Sequence, residues 1–395
     1  MRLPPGEGDE VAAVDNPHNP PMEAMLVPCH QGEVGSCAFA PRLAWAVSGG
    51  WDGQVLQWDL STGDLYHRWR ASTKAITAVA VTPDGGRIYT GDVDGHLIAW
   101  DAISHHELGR EVAHLRPICG IAITGNGRIV ATCSWDGRIK LRYLDDEDNP
   151  ERILTGHKDI VAGMCFWPDG KYLLSWSPDG TARVWETVRG NPLRAWPINS
   201  RRLTCGDVSP SGQHFAVGGD NGTILIWDTF QQEEVATINL HEPCCGLHFA
   251  PDGASMLIVT AMATIIHVQV PEIRELRRDA YSFPLQTSAM PVTGEGLALG
   301  GVDGTVRFQP LPQFESCPVW VTPVETLERR AKPGLGRLFG LHNLLRILRC
   351  SCPGCGHLLD FGTNQPPARL ACPRCQRELL LSESAMSGVI KGPPE

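Results

Sequence analysis

The chain has 395 residues, of which 42% are apolar and 20% charged; it carries 42 glycines and a net charge of −10. No apolar run reaches 18 residues, which excludes a helical membrane span, and the start MRLPPGEGDEVAAVDNPHNPP is acidic and proline-rich, unlike a secretory signal. Charge is uneven: nine Arg or Lys face one acid, Asp360, between Arg329 and Arg377, an asymmetry suited to steering partners or to drawing tail and body together.

Residues 1–21 read as a disordered leader. Met22–Val27 is apolar enough for a strand and precedes the first of seven similar segments. Aligned on the turn before their third strand, these segments place Trp58, Trp100, Arg142, Trp185, Trp227, Val268 and Gln309 at one position, in steps of 41 to 43 residues. A repeat of about 40–45 residues carrying four strands is the period of a β-propeller blade. One blade cannot bury both faces of its sheet, so the blades must stack and the ring must close. The expected architecture is all-β: a seven-bladed propeller over residues 22–312, with Met22–Val27 as the outermost strand of the seventh blade.

The second segment, ITAVAVTPDGGRIYTGDVDGHLIAWD, shows the unit. Ile76–Val81 is an innermost strand, Pro83-Asp84-Gly85-Gly86 a turn, Arg87–Thr90 the return, Asp94-Gly95 a hairpin and His96–Trp100 the third strand. At these residues the chain resembles the WD-repeat family over about residues 22–312. The resemblance implies a hydrogen-bonded tetrad of His, Ser/Thr, turn Asp and strand Trp. It is complete in the first copy as His30, Ser48, Asp52 and Trp58, and in the fourth as His157, Ser175, Asp179 and Trp185. The second copy has Thr90, Asp94 and Trp100 but Ser72 in place of His. The third has His114, Thr132 and Asp136 but Arg142 in place of Trp, either paired with an acid such as Asp136 or simply tolerated. The fifth keeps only Trp227, the sixth none of the four, the seventh only Asp303. The sets look like Ser-His-Asp nucleophile systems, but their recurrence beside Trp points to structural pairing of buried polar groups.

Trp51 and Trp135 each precede a turn Asp, in GGWDG and CSWDG. By resemblance that position faces the ring's upper rim, where an exposed Trp suits the anchoring of a protein partner; packing over a neighbouring blade is the alternative. Beyond the ring, residues 313–349 read as a basic connector. In ETLERRAKPGLGRLFGLHNLLRILR, Leu338, Leu341, Leu345 and Leu348 stand at helical spacing, so a short helix is expected, docked on the propeller or on a partner rather than on a membrane.

Two C-x-x-C pairs follow, Cys352/Cys355 and Cys372/Cys375, with HLLDF and ARLAC between them expected to pair as the hairpin that unites them. Four thiolates suit one tetrahedral structural Zn²⁺ with no open position, and the segment resembles a zinc ribbon over residues 350–381; a redox dithiol is the weaker reading. Residues 382–395 read as a disordered tail. Cys37, Cys119, Cys133, Cys165, Cys205 and Cys245 fall in predicted strands and behave as buried apolar residues, so a reducing, cytoplasmic setting is expected.

The function expected is a non-enzymatic scaffold or recognition subunit of a multiprotein assembly, with a bacterial regulatory or defence system as the setting that the resemblance suggests. One partner would sit on the rim and another on the connector and ribbon. The alternative is a nucleic-acid-associated factor using the ribbon with Arg369, Arg374 and Arg377; no aromatic series for base stacking accompanies them. No open metal site, phosphate-binding glycine loop or paired-carboxylate motif suggests an enzyme.

Overall fold

In the computed structural model the described residues are 27–28, 30–40, 45–60, 64–145, 151–198, 202–281 and 283–311, then 319–321, 324–331, 342–351, 358–362, 369–374, 376 and 378–381. All regular structure among them is β. Val34–Phe39, Trp45–Gly50, Gln54–Asp59 and Leu65–Arg70 form the first antiparallel four-stranded sheet, in chain order. The second to sixth sheets repeat that order, beginning at Ile76, Ile118, Gly163, Leu203 and Cys244.

The seventh sheet consists of Leu285–Ala289, Gly296–Gly301 and Thr305–Pro310, and its fourth strand comes from the other end of the chain. Val27–Pro28 pairs antiparallel with Thr305–Pro310, Val27 opposite Val306 and Pro28 opposite Thr305. The innermost strand of each blade packs on that of the next, and Leu285–Ala289 packs on Val34–Phe39, so the ring is closed with seven blades. The part of the expected closing strand before Val27 lies outside the described residues.

The core lies between blades, because each small sheet has an apolar face that only a neighbour can cover. Val47 and Val55 of the first blade pack with Ile76, Val79, Ile88, Ile98 and Trp100 of the second. Leu174, Trp176 and Val184 of the fourth pack with Phe215, Val217 and Leu225 of the fifth. A side chain of this size contributes roughly 1.5–3 kcal/mol when fully buried.

C-terminal to the ring the structure departs from the expected helix. Val324–Ala331 and His342–Ser351 are antiparallel strands, and Leu358–Gly362 adds to the second of them. Pro333, Gly334 and Gly336 interrupt any continuous helix between Glu325 and Arg349. The run Leu344, Leu345, Ile347 and Leu348 falls on the central strand of three, where apolar residues on both faces are ordinary; a short apolar run does not distinguish the two conformations. HLLDF and ARLAC do not pair with each other either. Leu358–Gly362 returns onto His342–Ser351, whereas Arg369–Ala371 pairs with Glu378–Leu381, which also lies parallel to Val319–Val321.

Candidate interaction face

Strand direction alternates within each blade. The turn joining its second and third strands therefore lies at the same end of the ring as the loop that leads into the next blade. Trp51 occupies the first such turn and Trp135 the third. Both are exposed, at 52% and 57%. Neither is covered by a neighbouring blade. Gly32, in the loop entering the first blade, lies against the Trp51 backbone and Cβ.

The blade between them adds an exposed Lys74–Asp94 ion pair at 3.3 Å. Leu115, in the loop entering the third blade, is 86% exposed, and Met262 and Val302 stand out from the corresponding turns of blades six and seven. Leu115, Met262 and Val302 escape sequence reasoning because a single apolar residue in a loop carries no pattern.

Beneath this face the tetrads hold the turns. In the first blade Trp58 Nε1 donates to Ser48 Oγ at 3.1 Å, Ser48 Oγ lies 2.9 Å from His30 Nε2, and His30 Nδ1 lies 3.1 Å from Asp52 Oδ1. The carboxylate only accepts, so Nδ1 carries the imidazole proton, Nε2 accepts from the Ser48 hydroxyl, and the ring is neutral. Burial lowers the His30 pKa against the pull of Asp52 in the other direction. Burial pushes Asp52 upward, but the Gln31 and Gln54 backbone N–H groups and His30 outweigh it and hold the carboxyl below its usual range.

The fourth blade repeats the chain. Trp185 Nε1 donates to Ser175 Oγ at 2.9 Å, which is 2.8 Å from His157 Nε2, and His157 Nδ1 is 2.9 Å from Asp179 Oδ2. Asp179 titrates at about 2: burial opposes ionisation, but Thr181, Lys158 N–H and His157 prevail. Ser48 and Ser175 are wholly buried, so neither hydroxyl can reach a substrate carbonyl.

Two incomplete blades differ from the expected pairing. In the second, Asp94 is not the buried carboxylate. Asp92 is: it accepts from Ser72 Oγ at 2.8 Å and from the backbone N–H groups of Asp94 at 3.0 Å and His96 at 2.9 Å. The position equivalent to Asp92 in the first blade is Gly50, whose added Cβ would lie 2.2 Å from His30 Nδ1. A small Ser72 makes room for a carboxylate at 92, just as a glycine at 50 makes room for imidazole. The exchange of His for Ser at 72 was visible in the sequence; its compensation two residues before the expected Asp was not.

In the third blade His114 joins Thr132 and Asp136, both at 2.9 Å. Arg142 does not pair with Asp136. Its guanidinium contacts Glu111 on the outermost strand of the second blade, so a Trp replacement has become a bond between blades. In the fifth blade Val217 occupies the hydroxyl position, and the Trp227 indole N–H is buried with no hydrogen-bond partner.

Of the expected metal set, Cys352, Cys355 and Cys375 lie outside the described residues; Cys372 is buried. Next to Cys372, Ala371 lies opposite Glu378, and Gln376 N–H, at a φ of 63°, donates to Cys372 C=O at 2.8 Å.

The model of the family "WD domain, G-beta repeat" matches residues 23–59, 63–101, 107–142, 148–186 and 190–228. The chain is 23% identical to the WD40 repeat protein poxJ of Penicillium oxalicum over 193 residues, 46% of this chain and 55% of that one. It is 31% identical to the nuclear distribution protein nudF of Aspergillus niger over 128 residues, 31% of this chain and 28% of that one. Against eukaryotic translation initiation factor 3 subunit I of Kluyveromyces lactis it is 27% identical over 107 residues, 27% of this chain and 31% of that one. The chain thus spans between about a quarter and about half of these curated relatives.

Proposed function

We propose that this WD-repeat β-propeller serves as a non-enzymatic recognition subunit, gripping a protein partner on the rim that carries Trp51 and Trp135. The observation that carries the reading is the exposure of both indoles, at 52% and 57%, on turns whose backbones are held by hydrogen bonds to the Asp52 and Asp136 carboxylates. Large apolar side chains on a rigid support lose little entropy on docking, and Trp is the residue type most often found at binding hot spots. Similarity to the translation initiation factor subunit named above supports action within an assembly. Purified chain, used as bait, is expected to capture a discrete partner, and Trp51→Ala/Trp135→Ala should weaken capture at least about 30-fold, given about 1–2 kcal/mol for each anchor. Unchanged capture with an unchanged melting curve removes the rim from the reading.

The two C-x-x-C pairs suggest a metal-tied appendage for a further component. Their spacing and thiolate chemistry fit one structural Zn²⁺ held by Cys352, Cys355, Cys372 and Cys375. The ion would supply cross-linking rather than reactivity, since four thiolates leave it no open position. Native protein should contain one equivalent of zinc by elemental analysis, and Cys372→Ser should lose it while the ring keeps its melting temperature. Zinc retained by that variant at full stoichiometry would discard this ligand set.

A further inference from the structure

Cys205 lies third in the innermost strand Leu203–Val208 of the fifth blade, and Cys244 is the first residue of the innermost strand Cys244–Phe249 of the sixth. Their Sγ atoms are 3.1 Å apart across the seam. Two features of the surroundings bring them there. Thr204 Oγ1 donates to the Cys244 carbonyl at 2.6 Å, drawing the two strands together. Gly218, paired opposite Cys205, leaves the space: a Cβ on it would lie 2.8 Å from Cys205 Sγ and 3.1 Å from Cys244 Sγ. Both thiols are nearly buried, Cys205 at 5% and Cys244 at 2% exposure. A bonded pair needs an S–S separation of about 2.05 Å, so roughly 1 Å of approach separates this contact from a covalent link.

We propose that Cys205 and Cys244 form a reversible redox pair that ties the fifth blade to the sixth, with peroxide as the oxidant. Hydrogen peroxide converts the Cys205 thiol to a sulfenic acid and releases one water. The Cys244 sulfur attacks the sulfenic sulfur, its proton leaves with the departing hydroxyl as a second water, and the S–S bond forms. In total, two thiols lose two hydrogens and two electrons, and one peroxide becomes two waters. A dithiol reductant reverses the link by exchange.

Cys205 is the one to be oxidised first because it is the more exposed. The Cys244 sulfur is also turned inward, 3.5 Å from the Gly246 carbonyl and 3.6 Å from that of Val259. The Cys205 hydrogen bond, together with burial, keeps the Cys244 thiol protonated, so a millimolar oxidant and minutes, rather than a trace, are expected to be required. The bond would join residues 39 apart in sequence but adjacent in space, closing the seam against separation of the two blades.

The test uses the folded full-length chain, treated with hydrogen peroxide, then denatured, alkylated, digested without reductant and mapped by mass spectrometry. The expected product is one peptide pair joined through Cys205 and Cys244, 2 Da lighter than the two thiol peptides together and abolished by dithiothreitol. The melting temperature should rise by about 5 °C. Cys205→Ser should lose both the joined pair and the rise. Because the product is read on the unaltered chain and by peptide, neither misfolding of the variant nor oxidation of the C-terminal cysteines can imitate it. Both cysteines fully alkylated after treatment, a link from Cys244 to Cys245 instead, or a link that forms only in urea would overturn the proposal.

Discussion

Backbone conformation at a single turn position sets the sixth blade apart from the other six. Gly53, at φ of 75°, ends the turn that carries Trp51; an added Cβ would lie 2.3 Å from the Ser72 carbonyl and 2.8 Å from that of Lys74. Those are backbone atoms of the next blade's entry loop, which cannot yield as a side chain can. Gly53→Ala is therefore expected to cost at least about 2 kcal/mol in urea unfolding, adding a steric clash to the left-handed penalty. The sixth blade already bears that penalty: Ala263 stands at the same position with φ of 65°. Ala263→Gly should stabilise the ring by about 0.5–1 kcal/mol, the relieved strain exceeding the entropy that glycine adds to the unfolded chain. A loss of stability in the same urea titration would show that Ala263 is not strained.

At the level of the element, the blade is a hydrogen-bonding unit whose members must change together. The His30–Gly50 combination and the Ser72–Asp92 combination fill one volume by opposite means. Ser72→His alone should drive imidazole into the Asp92 carboxylate site and destabilise the protein by about 2–3 kcal/mol. Ser72→His/Asp92→Gly should recover at least about 1 kcal/mol of that loss, a coupling that a double-mutant cycle measures directly. Additive effects would mean that the two positions do not share the space.

The Arg142–Glu111 pair makes the same point between blades. A substitution that looks like a tolerated loss in one repeat proves to be a contact with its neighbour. The connector shows the limit of pattern reading in the other direction. Leu345 and Leu348 satisfy helical spacing in the sequence, yet they lie on the strand His342–Ser351, which finds strand partners on both sides.

For the whole ring, two titratable groups sit where most other blades carry alanine. Asp207 accepts the Phe249 backbone N–H at 2.8 Å, joining the fifth blade to the sixth, and His248 Nε2 lies 2.8 Å from Ser288 Oγ, joining the sixth to the seventh. Burial pushes the Asp207 carboxyl up to about 7 and the His248 imidazole down to about 4.

A raised carboxyl binds its proton more tightly folded than unfolded, so its contribution is complete below about pH 4 and lost as pH rises to about 7. A lowered imidazole acts in the other sense: its contribution is present above about pH 6.5 and lost as pH falls toward 4. The stability of Asp207→Asn relative to the natural chain is thus expected to rise by about 2–4 kcal/mol between pH 4 and 8, then level off, whatever the fixed cost of the altered hydrogen bond. A difference that is flat with pH, measured by denaturant unfolding in matched buffers, would mean that Asp207 is ionised in the fold throughout.

Blade number was legible in the chain because a sheet of four strands needs a set length of chain, and the turn residues Asp-Gly recur at that length. The complete tetrads were legible as well, since His, Ser, Asp and Trp at fixed offsets have one way of satisfying one another when buried. What the order of residues could not supply were compensations within a blade, such as Asp92 in place of Asp94, and relations across seams: Glu111 as the partner of Arg142, Asp207 reaching the next blade and two thiols in contact, none of which a repeat pattern specifies. Exposure of Trp51 and Trp135 belongs to the same class. Which side of a turn faces water depends on what the neighbouring blades cover, and that is fixed only when the ring is closed.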